Sequence, residues 1–300
     1  MPESLLLSQQ MRDSIDAEIA ARTKIHQSRI ASLKTGRANL RALAAPQQTT
    51  PLVMLAHGDS WFDYPLTGNG LPLVNTDIIT QLGTMGNINP VIDNLSHHGD
   101  ATTDEMSLPK QQRMIEHLQD PENWLDAGKP DAILFSGGGN DVAGDQFCIF
   151  LDYATPGATG LDATRFQEAL GMVEASYRDL FAFRDRYARN VPVFGHCYDF
   201  PIPNGTHPVC AGPWLQPSLD YCGWTDIAKG TAIVRSALVA FKNLMVSLAN
   251  DPASNFILVD TQGLLTAGDW ANELHPFPNG FKTFAAKFVD ALRVKFPGRI

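Results

Sequence analysis

Short apolar runs alternate along this chain with stretches in which apolar residues recur at helical spacing. Residues 52–56, Leu-Val-Met-Leu-Ala after Pro51, form a continuous apolar run, the signature of a strand buried on both faces of a parallel sheet. Comparable runs at 91–95, 131–136, 191–195 and 255–260 predict four more strands. Between them the periodicity predicts helices over about 76–82, from a cap at 102–104 to about 116, over 162–189 and over about 226–249, with another following the prolines at 276 and 278. In the 162–189 segment Phe166, Leu170, Val173, Tyr177, Leu180 and Phe181 share one face. Strand and helix in alternation argue for a parallel sheet covered on both faces.

Ahead of the first strand, Ile15, Ile19, Ile25 and Ile30 recur at helical spacing through residues 4–44. They predict one or two amphipathic helices, an N-terminal helical extension over 1–46 preceding a domain over 47–300. Such an extension packs on the domain or pairs with a second copy, a possible homo-oligomer. Pro46 and Pro51 bound the break between the two parts. Neither an internal repeat nor a low-complexity linker divides the chain.

With 300 residues and 44% apolar content, the chain can bury a sizeable core. Its net charge of -9 argues against nucleic acid and anionic lipid surfaces, which call for clustered Lys and Arg. An unbroken apolar run of the roughly 20 residues that span a bilayer is absent from the pattern, so no membrane span is expected. The first residues lack a basic leader and an adequate apolar stretch; the expectation is a cytoplasmic location, with export by another route left open. Cys148, Cys197, Cys210 and Cys222 are too few and dispersed for a disulfide scaffold. His196, Cys197, His207, Cys210 and Cys222 include soft ligands but no paired Cys-x-x-Cys. Packing, or a single loop disulfide between Cys210 and Cys222, is therefore favoured over zinc, and no metal or organic cofactor is expected.

Several of the predicted strands end in polar residues suited to chemistry, where an open α/β sheet binds its ligands. Ser60, in the Gly58-Asp59-Ser60 turn, is a candidate nucleophile on an accessible tight turn. Gly99 has no side chain to block a carbonyl oxygen, so its N–H can face a developing oxyanion. Asn140 can offer a side-chain N–H to the same oxygen, and the Ser60 N–H completes a three-donor hole. His275, flanked by Pro276 and Pro278, is a candidate base. Asn272, three residues upstream, can return onto its Nδ1.

These blocks, Gly58-Asp59-Ser60, Asn94 through Gly99, Gly138-Gly139-Asn140-Asp141 and the His275 segment, occur in the order found in the SGNH, or GDSL-type, hydrolases, and the chain resembles that family from about 52 to 290. The resemblance implies a flavodoxin-like three-layer α/β/α sandwich with a parallel five-stranded sheet. It also implies hydrolysis of carboxylic esters through an acyl-enzyme, with Ser60 as nucleophile, His275 as base, and Ser60, Gly99 and Asn140 as the oxyanion hole. Two departures stand out. Asn272 occupies the position where the family carries an acid, and Trp61 follows the serine where many members have Leu. A neutral amide orients an imidazole without stabilising its charged form; in serine proteases that loss lowers turnover about 10⁴-fold. Three readings are open: a working Ser-His-Asn arrangement, which is favoured; a charge supplied by Asp269 or Glu273; or a protein impaired as an enzyme.

Trp61, His98 and Trp270 are candidate substrate-lining residues. Phe62, Tyr64, Trp214 and Trp224 either join them or pack loops onto the sheet. His57 reads as a packed strand-end histidine and His97 as a loop histidine. Asp59 shapes the turn, Asp63 caps or turns the chain, and Asp141 supports Asn140. Residues 201–224 form a candidate lid or substrate wall. The function expected is a serine esterase or deacetylase acting on a small or medium ester, such as an acylated carbohydrate or lipid. Its alternatives are acyl transfer to an alcohol or sugar, and a non-catalytic binding relative.

Overall fold

The computed structural model describes residues 3–44, 49–65, 76–125, 128–206 and 212–300, with side chains from residue 12 onward. Five strands make one parallel sheet: β1 (Val53–Gly58), β2 (Val91–Asn94), β3 (Ala132–Ser136), β4 (Val193–His196) and β5 (Phe256–Val259). Their order is β2-β1-β3-β4-β5, the doubly wound arrangement of a flavodoxin-like fold. Met54 stands opposite both Ile92 and Ala132 in register. A strand paired on both edges and covered on both faces has no solvent side, which is why the β1 sequence is a continuous apolar run rather than an alternating one. At β4 the ladder starts at Val193, two residues later than the sequence pattern suggests, because Pro192 has no N–H to donate.

The helices are α1 (Glu3–Ala42), α2 (Ile78–Leu82), α3 (Thr102–Glu105), α4 (Leu108–Gln119), α5 (Gly139–Val142), α6 (Ala163–Tyr187), α7 (Gln216–Tyr221), α8 (Ile227–Asn250) and α9 (Pro278–Lys295). On one face of the sheet α2 packs against α9; on the other α6 packs against α3 and α8. The single helix expected after residue 102 is two helices. The chain breaks at Met106 and Ser107, and Pro109 opens α4 in the first turn, where a missing N–H costs nothing.

The extension is one continuous helix lying along the β2 edge. Ile19 and Ile30 are buried beneath it, His26 bonds through Nε2 to the Asn123 carbonyl at 2.8 Å, and Lys34 Nζ donates to the Pro121 carbonyl at 2.7 Å. Contrary to the expectation of no membrane-length apolar segment, α8 is long and apolar enough to cross a bilayer. In this fold one face of α8 covers the sheet, with Ile233, Val234, Ala237, Phe241, Met245 and Leu248 buried.

Candidate active site

The Ser60 turn is built by β1 and β3 together. Gly58 adopts φ +153°, and a Cβ there would collide with the Ser136 carbonyl oxygen, so only glycine lets the two strand ends close. The chain then turns tightly, with Phe62 N and Asp63 N both donating to the Asp59 carbonyl. Asp59, 1% exposed, does more than shape the turn. One carboxylate oxygen accepts from Trp61 N at 3.0 Å and Ser136 Oγ at 2.7 Å, and the other from Tyr198 OH at 2.6 Å. Burial raises its pKa from 3.8 to about 6, and these hydrogen bonds restrain the rise.

At the far end of the chain, residues 270–276 close a tight loop bridged between Trp270 and Pro276. Asn272 Oδ1 accepts from the backbone N–H of Leu274 at 3.0 Å and of His275 at 2.8 Å. Two backbone donors on one atom identify it as the amide oxygen. His275 Nδ1 lies 3.2 Å from that oxygen, so Nδ1 carries the ring proton and Nε2 is left as the acceptor. Ser60 Oγ is 2.6 Å from that Nε2, across 215 residues of sequence. Asn272 Nδ2 donates in turn to Tyr64 OH at 3.1 Å. Burial, with a smaller effect from nearby His98, lowers the His275 pKa from 6.5 to about 3, so the ring is neutral over the ordinary pH range.

The other two candidates for partner of His275 are engaged elsewhere. Asp269 accepts from Thr266 N and Oγ1, both at 2.7 Å, at the start of its own helical turn. Glu273 is fully buried, and its carboxylate accepts four backbone N–H groups: Gly205 at 3.0 Å, Trp214 at 2.6 Å, Leu215 at 2.8 Å and Gln216 at 3.1 Å. It thereby fastens Gly205 and the stretch Trp214 to Gln216 to the histidine loop.

On the opposite side, His97 N donates to the Gly58 carbonyl at 2.9 Å and ties the β2 loop to the serine turn. Gly99 has φ +84° and open space where a Cβ would lie. Among the described residues, the N–H groups of Ser60 and Gly99 have no protein acceptor. Asn140 Nδ2 donates one hydrogen to the Asp100 carbonyl at 2.8 Å, leaving its second N–H for another acceptor. Asp141 accepts from Thr102 N and Oγ1 and holds that loop from behind.

Ser60, His275 and Asn140 line one side of a small cleft that opens to solvent. Its walls are apolar: Val142, Ala143 and Phe147 on one side, Leu215 just ahead of α7, and Val234 and Leu238 of α8. Of the three expected lining residues only Trp61 borders this cleft. Trp270 instead packs edge-on against Trp61 at 6.4 Å, and His98 sits 3.9 Å from Asp63. Trp214 meets the His275 ring edge-on at 5.6 Å. Asp63 is not a cap; it pairs with Arg22 at 2.6 Å, and the same guanidinium reaches the Ser96 carbonyl at 2.8 Å.

The soft-ligand group is dispersed. His196 Nε2 bonds to Ser136 Oγ at 2.8 Å, Cys197 faces Asp260 and Thr261, and Cys222 is a free thiol. His207 and Cys210 lie outside the described residues. Among the described residues no group of three His, Cys, Asp or Glu is placed to hold a metal.

Sequence reasoning missed Tyr198, Arg22 and the orphaned carboxyl of Glu105. Tyr198 follows the β4 end in a left-handed conformation, and its hydroxyl links Asp59 to Gly139 N; its position after a strand was the available signal. Arg22 gave no local signal. Glu105 is fully buried with no partner for either oxygen, and burial holds its pKa well above the usual range.

No protein-family model matches the chain, and no curated protein does. Among solved structures it is similar to the lipase Lip_vut3 from a goat rumen metagenome, with a TM-score of 0.53 and 16% identity over 80% of this chain and 97% of that one. An extracellular lipase from Streptomyces rimosus gives a TM-score of 0.49 at 16% identity, over 79% and 98% of the two chains. The acetylxylan esterase Axe2 from Geobacillus stearothermophilus gives 0.46 at 14% identity, over 82% and 96%. At 16% identity, what this chain shares with the first of these is the fold.

Proposed function

We propose that the protein is a carboxylic ester hydrolase that works through an acyl-enzyme on Ser60. The observation that carries this reading is the continuous chain Ser60 Oγ, His275 Nε2, His275 Nδ1, Asn272 Oδ1, with separations of 2.6 and 3.2 Å at its two hydrogen bonds. Ser60 Oγ attacks the ester carbonyl carbon while its proton passes to Nε2. The carbonyl oxygen gains negative charge, and the N–H groups of Ser60 and Gly99 and the second N–H of Asn140 receive it. As the intermediate collapses, the alkoxide leaves with the proton from Nε2, and an acyl ester remains on Oγ. Water, deprotonated by the same Nε2, then releases the acid and restores the serine.

The apolar walls of the cleft favour an ester with a medium-length hydrocarbon chain over an acetylated sugar, because burying each methylene gains about 0.8 kcal/mol. The lipase and acetylxylan esterase names of the similar structures are in keeping with ester cleavage. Hydrolysis of p-nitrophenyl butyrate by the wild type and by Ser60→Ala tests the reading. Turnover in the wild type and its loss in the variant is expected; equal rates in the two proteins overturn it.

A further inference from the structure

We propose that Arg22 is a positioning residue for the oxyanion hole: from α1 it holds the turn that carries Ser60 and the loop that carries Gly99 at one separation, which makes the N-terminal helix part of the working site. The role rests on Ser60 acting as an ester nucleophile, since a developing oxyanion is what gives that separation its chemical meaning. Ile19, His26 and Ile30 bury one face of α1 against the domain. Arg22, three residues after Ile19 and four before His26, falls on that same face. Its guanidinium donates through Nη1 to Asp63 Oδ1 at 2.6 Å and through Nη2 to the Ser96 carbonyl at 2.8 Å. The two acceptors belong to different segments of the site.

Each acceptor is tied closely to a donor of the hole. Asp63 N donates to the Asp59 carbonyl at 3.1 Å, so its backbone closes the turn around Ser60. The other carboxylate oxygen of Asp63 lies 3.9 Å from Nδ1 of His98, the residue before Gly99. Ser96, fully buried, opens the loop that leads from β2 to Gly99. Two hydrogen bonds already join the segments directly: His97 N to the Gly58 carbonyl and Asn94 Nδ2 to the Phe62 carbonyl, both at 2.9 Å. The guanidinium adds a tie from outside the sheet.

The sheet order explains why such a tie is needed. β2 is an edge strand, with β1 on one side and no strand on the other. Its terminal loop therefore lacks the second neighbour that steadies the ends of β1 and β3, and α1 lies along that edge instead. Arginine suits the task because its donors sit in a rigid planar fork, so acceptors on Nη1 and Nη2 are fixed relative to each other; a lysine ammonium on its flexible stem sets no such angle. The Arg22 and Asp63 side chains are 27% and 19% exposed, which leaves the pair less screened than one on the surface. A displaced donor weakens its bond to charge that develops in the transition state. The loss therefore falls on kcat rather than on substrate binding.

Steady-state hydrolysis of p-nitrophenyl butyrate tests the role in wild type, Ser60→Ala, Arg22→Ala, Arg22→Lys and Lys34→Ala. Rates of the serine-bearing proteins are divided by the reactive serines counted from the p-nitrophenol burst of a phosphonate inhibitor, so that misfolded molecules do not enter. Lys34→Ala removes another contact of α1 with the domain, to the Pro121 carbonyl, that touches neither site segment. Arg22→Ala should lower kcat at least about tenfold with KM within about twofold of wild type. Arg22→Lys should recover part of the loss, and guanidinium chloride well below the denaturing range should raise the rate of Arg22→Ala alone. Lys34→Ala should keep the wild-type kcat. An unchanged kcat in Arg22→Ala overturns the proposal, as does a loss confined to KM. So does an equal loss in Lys34→Ala, which would make α1 a structural support and nothing more. A wild type no faster than Ser60→Ala overturns the ester hydrolase itself, and this role with it.

Discussion

The two ends of the candidate site are held by opposite means. Beneath Ser60, Asp59 is a buried carboxylate saturated by Trp61 N, Ser136 and Tyr198, set between two central strands. Behind His275, among the described residues, no carboxylate bonds to the ring, only the Asn272 amide, although Glu273 is the very next residue after Asn272. That acid turns away and gathers the backbone N–H groups of Gly205, Trp214, Leu215 and Gln216. Buried negative charge in this molecule therefore fixes loops in place, while the imidazole is positioned by a neutral group. The low pKa of His275 has the same origin, because desolvation acts on the ring with no adjacent anion to oppose it.

Removing the histidine puts the greatest strain on this contrast. His275→Ala should lower kcat/KM for p-nitrophenyl butyrate at least about 10³-fold while leaving the folded state intact, as read by steady-state kinetics beside a thermal melt. Next in size, Glu273→Ala leaves four backbone donors without their acceptor. It should cost about 3 kcal/mol or more in urea unfolding and lower activity with it; a variant as stable as wild type would show that these residues are fastened elsewhere.

Asn272→Asp restores the charge that the histidine end lacks. The two backbone donors, Leu274 N and His275 N, suit a carboxylate oxygen at position 272 as they suit the amide oxygen. Activity should rise about tenfold, well short of the 10⁴ seen for the opposite change in serine proteases. The pH profile is the finer readout. Because the His275 pKa is lowered to about 3, the neutral base persists far below its ordinary titration range, and the acid limb of kcat/KM should lie correspondingly low. A carboxylate at position 272 raises the histidine pKa and moves that limb to higher pH. A collapse of activity would instead show that the amide is specifically required. The smallest effect is expected from Tyr64→Phe, which removes the acceptor for Asn272 Nδ2. A loss of about 1 kcal/mol in transition-state stabilisation corresponds to a several-fold drop in kcat with KM unchanged.

Much of the molecule was legible in the sequence. Each strand came from a local run of apolar residues, and Ser60, Gly99, Asn140 and His275 could be singled out because turn residues and isolated polar groups at strand ends are local features. The choice among Asn272, Asp269 and Glu273 was not legible. All three lie within one short loop, and spacing alone cannot tell which side chain turns toward the imidazole. Of the expected lining residues, Trp61 borders the cleft, whereas Trp270 and His98 do not, for a similar reason. Trp61, Trp270 and His98 all sit near site segments in the sequence, but Trp270 is spent packing on Trp61.

Neighbouring residues alone were enough to set the parallel α/β architecture and the identity of the polar residues at the strand ends, because periodicity and turn chemistry are both local properties. Which residues meet was left to the folded chain. Ser60 and His275 join across 215 residues, Arg22 reaches Asp63 across 41 and Ser96 across 74, and Glu273 gathers a segment 59 positions away. Such contacts depend on which face each loop presents after the sheet has closed, and side-chain direction over those separations is set by packing rather than by any local pattern.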